Sequence, residues 1–139
     1  MKKILIVEDI LNDIQYYRAL KDKDVETTFL FVTEDQSFTP ERVRDYIDLL
    51  HEKTFSWIKE FRVVTSKKLK SLLKEDAFDA YILDSLKGDA LSFVQEARIA
   101  KEKVGFFSST TSFRESAEKA GYRACKKDRL DDLIKALSL

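Results

Sequence analysis

Four apolar runs in this chain end on residues that could do chemistry. ILIVED closes on Glu8 and Asp9, AYILD on Asp84, VGFFSS on Ser108 and Ser109, and YRACKK on Lys126 and Lys127. Each ending has a plain explanation, because acids suit the first turn of a helix and lysines are at home in solvated loops. Were the runs neighbouring strands, however, three carboxylates, a hydroxyl and an ammonium would converge on one edge. Clustered carboxylates repel unless a cation or a proton intervenes. A hard ion such as Mg²⁺, content with a few oxygens and several waters, suits them. A metal-bound carboxylate beside a lysine can attack phosphorus and hold the acyl phosphate. The cation and the ammonium would neutralise phosphoryl oxygens, and the hydroxyl would donate to one of them.

The elements that must position these residues alternate. Lys3 to Val7 reads as a buried strand, and Ile10 to Leu20 as a helix with Ile10, Ile14, Tyr17 (or Tyr16) and Leu20 on one face. Thr27 to Thr33 is a second strand. Thr39-Pro40-Glu41 opens a helix with a capping hydroxyl, Pro at the first position and an early acid. Its stripe of Val43, Ile47, Leu50, Thr54, Ile58 and Phe61 carries it to about Phe61. A short strand at 61–66 and a helix over Lys67–Glu75 follow, then the strand Asp79–Asp84. The rest reads as a helix from Ala90 to about Lys101, a strand Val104–Ser108, and a helix Ser112–Ala120 closed by Gly121. A last strand Tyr122–Lys126 and a helix Leu130–Leu137 finish the chain. This alternation predicts an α/β fold, a doubly wound and mainly parallel sheet of five or six strands with helices on both faces. Ligands of such sheets sit beyond the carboxyl ends of the strands, where the strand order reverses.

Composition sets outer limits. A chain of 139 residues is the size of one domain, with 25 Lys+Arg against 25 Asp+Glu, so nothing favours nucleic acid or an anionic membrane. The apolar start stops at Val7 against two acids, unlike a secretory or membrane-spanning segment. One cysteine, Cys125, excludes an internal disulfide and reads as a core residue, and the cytoplasm is the expected compartment.

Taken in order, these stretches resemble the receiver domain of two-component response regulators. KILIVED is similar to its first strand with the acidic pair, FDAYILD to the strand that ends at the phosphoacceptor, VGFFSS to the strand with the switch hydroxyl, and AGYRACKKDRLDDLIKAL to the last strand, lysine and helix. The resemblance implies a flavodoxin-like fold with Asp84 phosphorylated and Mg²⁺ held by Asp9, by Glu8 through water, by Asp84 and by the Leu86 carbonyl. Ser108 would be the switch hydroxyl, and Lys127, which fits the register better than Lys126, would pair with the phosphate. It implies no enzyme beyond self-phosphorylation and autodephosphorylation. The implied partners are a histidine kinase or phosphotransfer protein and a downstream protein, with neither nucleic acid nor membrane. Only Ser138 and Leu139 follow the last helix, so a single stand-alone domain over 1–139 is expected, with an inserted strand–helix unit at about 25–60.

The chain also departs from that pattern. The loop SLKGDA after Asp84 is short and lacks proline, Asp128 stands where another proline is frequent, and Ala124 occupies the place of the switch aromatic. A degenerate receiver that binds partners without phosphate is therefore the alternative. A Toprim-like Mg²⁺-dependent nucleic-acid enzyme also opens with ILIVED, but it needs Asp-x-Asp at a later strand tip, and residues 82 and 86 are Ile and Leu. His51, the only histidine, reads as a structural or surface residue rather than a phosphotransfer group, and Trp57, Phe55 and Phe61 as packing residues.

Overall fold

The structure is a computed structural model that describes residues 1–51, 57–75 and 77–139, with Leu50 and His51 described by their backbone alone. Six strands, β1 (Lys2–Glu8), β2 (Val25–Val32), β3 (Ile58–Val64), β4 (Ala80–Leu83), β5 (Val104–Phe107) and β6 (Arg123–Cys125), form one sheet. Every pair is parallel, in the order β3-β2-β1-β4-β5-β6. Between β1 and β2 runs a 3₁₀ helix, Leu11–Asp22. The α-helices are α1 (Pro40–His51), α2 (Ser66–Lys74), α3 (Ala90–Ala97), α4 (Thr111–Lys119) and α5 (Leu130–Ala136).

The expected doubly wound α/β sheet is what forms, and its two faces explain the apolar runs. Ile4 and Ile6 of β1 enter one core, under the 3₁₀ helix, α1 and α5, while Leu5 and Val7 enter the other, under α2, α3 and α4. A strand covered on both faces must be apolar at every position, as β1, β4 and β5 are in their centres. Thr27–Thr33 supplies the strand beside β1, and FRVVT belongs to the outlying β3. Without β3 the order would be that of flavodoxin-like sheets.

Local chemistry sets the helix ends. Thr39 Oγ1 accepts from the Arg42 N–H at 3.3 Å, and Thr65 Oγ1 caps α2 by accepting from the Lys68 N–H at 3.2 Å. Gly121, at φ 93°, follows α4 as expected, and the Tyr122 N–H donates back to the Ala117 carbonyl at 3.0 Å. No helix among the described residues is long and apolar enough to cross a membrane.

Three element assignments need correction. The Pro40 helix does not run to Phe61, because Ile58 and Phe61 lie in β3; Thr54 and Phe55 lie outside the described residues, as do the side chains of Leu50 and His51. The helix after β1 is 3₁₀, burying Ile14, Tyr17 and Leu20 at a spacing of three, while Ile10 and Tyr16 are exposed. The helix from Ala90 stops at Ala97, where Arg98 turns left-handed at φ 57°. Trp57 and Phe61 pack against the α1-side core, Phe61 stacking on Phe29 with centroids 5.4 Å apart.

Candidate functional site

β1 lies at the point where the strand order reverses, with β2 on one side and β4 on the other. The crevice outside the carboxyl ends of β1 and β4 is therefore the expected ligand position of this sheet. Glu8 is the last residue of β1, and the Asp84 N–H donates to the Val7 carbonyl at 2.9 Å, carrying the strand pairing to the Asp84 side chain.

Lys127 joins the acids. Its ammonium reaches Glu8, Asp84 Oδ1 at 2.9 Å and Asp13 Oδ2 at 3.1 Å, and lies over the Phe107 ring. Lys126, the other candidate, is exposed, so the structure brings Lys127 to the acids. Burial alone would push the Lys127 ammonium down; the Glu8 and Asp84 charges overcome it and hold its pKa above the ordinary lysine range.

Glu8 is fully occupied. Its Oε2 accepts from the Asp9 and Ile10 N–H groups at 3.0 and 3.1 Å, and its Oε1 from Lys127 and from the Tyr17 hydroxyl at 3.1 Å. Four donors fill the lone pairs of a carboxylate. Burial, then the Asp84 charge, pushes Glu8 up to about 8, against the pull of Lys127. Tyr17, wholly buried against Phe29 and Phe107, is raised well above the ordinary phenol range by burial and by Glu8, so it remains a donor.

Asp9 differs. Its Oδ1 is buried with no hydrogen-bond donor among the described residues, and burial followed by the adjoining Asp84 raises Asp9 to about 6. Ligand oxygens of Glu8, Asp9 and Asp84 lie within 4.8 Å of one another. Hard oxygens, an orphaned acceptor and more carboxylates than Lys127 can balance fit a divalent cation. Because Glu8 is saturated, Asp9 and Asp84 are the acids with oxygens to offer it.

The other expected residues are present with different partners. Ser108 is buried at the end of β5, its Oγ accepting from the Thr110 N–H at 3.1 Å and its carbonyl from Arg114 at 2.8 Å. Leu86 meets Asp84 through its amide, which donates to Asp84 Oδ2 at 2.9 Å, while its carbonyl accepts from the Asp89 N–H at 3.1 Å. The short SLKGDA loop achieves this with three left-handed residues in a row, Leu86, Lys87 and Gly88, at φ 51°, 58° and 98°. Such backbone is strained for a leucine or a lysine, and the burial of Leu86 holds it in place. Asp9, Glu34, Asp35, Lys87 and Asp89 line an open cleft beside the carboxylates.

Asp13 and Tyr17 were not singled out by their sequence context. An acid and an aromatic in the element after β1 look like a solvated residue and a core residue, yet Asp13 reaches Lys127 and Tyr17 reaches Glu8. Cys125 is half-buried, its thiol donating to the Arg129 carbonyl at 3.3 Å and raised to about 11 chiefly by burial. Ala124 packs, partly buried, on the α4-side core. Compared with known proteins, the chain matches no family model, no curated protein and no solved structure.

Proposed function

We propose that this chain is a receiver-type phosphoacceptor that takes a phosphoryl group on Asp84 and signals by protein contact in the cytoplasm. The observation that supports it most is the meeting of Asp84 with Asp9, Glu8 and Lys127 at the switch point of the sheet. The donor would be the phosphohistidine of a kinase or phosphotransfer protein. An Asp84 oxygen forms the new P–O bond as the donor's P–N bond breaks, and the imidazole leaves with the electron pair.

Asp9 and Asp84 would hold Mg²⁺, which supplies charge neutralisation at the phosphoryl oxygens when bound. The chain's own groups do the rest. The Leu86 N–H fixes one Asp84 oxygen and Lys127 the other, so the carboxylate is oriented before a donor arrives. Lys127 then follows the charge onto the phosphoryl group, loosening its hold on Glu8 and Asp13. Ser108, at the tip of β5, donates to a phosphoryl oxygen and draws the turn into α4 with it.

A second reading, a phosphate-independent binding module, draws on the triple engagement of Lys127, whose ammonium is already held by Glu8, Asp13 and Asp84. Dinucleotide-binding sheets share this strand order, but their glycine-rich turn after the first strand is replaced here by Glu8-Asp9-Ile10. Incubation with acetyl phosphate, with and without Mg²⁺, followed by intact mass spectrometry separates the first two. A single Mg²⁺-dependent phosphoryl adduct, lost in Asp84→Ala, is expected. No adduct, or one that survives Asp84→Ala, leaves the binding module.

A further inference from the structure

β3 is one of the two edge strands of the sheet, β6 being the other, and among the described residues no strand pairs with its free edge. Which backbone groups face out is fixed by the pairing with β2. The Val64 carbonyl accepts from the Thr33 N–H at 2.9 Å, so Val64, and by the period of two Arg62 and Glu60, turn their backbone toward β2. Phe61 and Val63 turn theirs outward. The side chains alternate across the sheet. Val64 enters the α2-side core, Phe61 and Val63 pack on the α1 side, and Glu60 and Arg62 share the α2 side, 3.9 Å apart.

We propose that this edge is a dimerisation surface, and that its occupant is a second copy of the chain. An edge that pairs with its own copy must do so antiparallel about a two-fold axis. Three registers use the middle of β3. An axis at Glu60 sets Glu60 against the partner's Glu60, and an axis at Arg62 sets Arg62 against the partner's Arg62. Both place like charges directly opposite, which destabilises a strand pair.

An axis at Phe61 behaves differently. The outward N–H and C=O of Phe61 exchange hydrogen bonds with those of the partner's Phe61. Glu60 then faces the partner's Arg62, and Arg62 the partner's Glu60, at the non-hydrogen-bonded positions where side chains come closest. Both charges reach solvent, with 57% of the Glu60 side chain and 39% of the Arg62 side chain exposed, and the partner's charges extend the contact they already make with each other within the strand. The ammonium of Lys59 is turned to Glu26 of β2.

Charges on an edge strand ordinarily keep other chains away. Here the two signs are spaced so that they oppose the registers centred on either of them and favour the one centred between them, which makes them a specificity device. The product is one continuous sheet built from two six-stranded halves. The contact is confined to one strand from each copy and the flanks of α1 and α2, so the dimer is reversible and concentration-dependent.

Sedimentation equilibrium of the full chain, from micromolar to millimolar concentration, tests this. The wild type is expected to dimerise reversibly. Glu60→Arg and Arg62→Glu should each raise the dissociation constant about tenfold or more, since each converts two attractions into two repulsions. The double swap should return it near the wild-type value. The swap is a clean control, because the β2 neighbours of Glu60 and Arg62 are the uncharged Thr28 and Leu30. Circular dichroism of the variants confirms that they fold. A monomer at every concentration, a dimer indifferent to the single reversals, or a swap no better than either single change overturns the proposal. None of these outcomes depends on phosphorylation of Asp84.

Discussion

One ammonium, Lys127, answers to the carboxylates of Glu8, Asp13 and Asp84, and its removal shows what that arrangement is worth. Lys127→Ala strands two buried acids, Glu8 and Asp84, without their counter-charge. Breaking a buried pair by deleting one partner costs about 3–5 kcal/mol. Urea denaturation should show a loss of that size without added cation, and Mg²⁺ should recover more stability in the variant than in the wild type. A wild-type-like midpoint would mean that the carboxylates shed their charge instead. Tyr17→Phe removes a single donor from Glu8 and should cost about 1 kcal/mol. At this scale the meeting of Glu8, Asp9, Asp84 and Lys127 was legible because each stands at the end of an apolar run and in contrast to it. Asp13 and Tyr17 were not, because the residues around them carry no such contrast.

Among the elements, α5 is seated by a missing side chain. Gly105 in β5 lies under Leu133, and a Cβ there would stand 2.8 Å from Leu133 Cγ. Gly105→Ala overpacks that contact and should destabilise by about 1–3 kcal/mol. Leu133→Ala alone should cost about 2–5 kcal/mol, but less in the Gly105→Ala background, where the cavity and the extra methyl offset each other. Equal costs in the two backgrounds would show that α5 and β5 adjust independently. The helix after β1 was legible as helical but not as 3₁₀, because Ile14, Tyr17 and Leu20 satisfy a spacing of three or of three to four equally well. The overlong Pro40 helix has a similar origin. Ile58 and Phe61 continue its stripe by spacing, while the polar Lys59, Glu60 and Arg62 hide an edge strand that lacks the apolar run of a central one.

For the whole molecule, the raised acids set a pH dependence. Glu8 rises from 4.5 to about 8 and Asp9 from 3.8 to about 6 on folding. Between those limits the folded protein binds more protons than the unfolded chain, so stability falls as pH rises through the window. A divalent cation held by Asp9 must displace the Asp9 proton, so it binds better as that proton leaves. Thermal melts should therefore show the cation-free protein losing stability from about pH 5.5 to about pH 8.5, and Mg²⁺ raising the midpoint more at the upper value. A cation effect independent of pH would place the ion away from these acids. The doubly wound class was legible from the alternation of elements. The position of each strand was not, since a parallel crossover leaves no local trace of which neighbour it joins. The division of the core into two sheets of contacts has an optical consequence. Trp57 is the chain's one tryptophan, and it packs on the α1-side core at the entrance to β3. Its emission is a built-in reporter for that edge, while the core beneath α2, α3 and α4 is seen only through the weaker signals of Tyr81 and Tyr122.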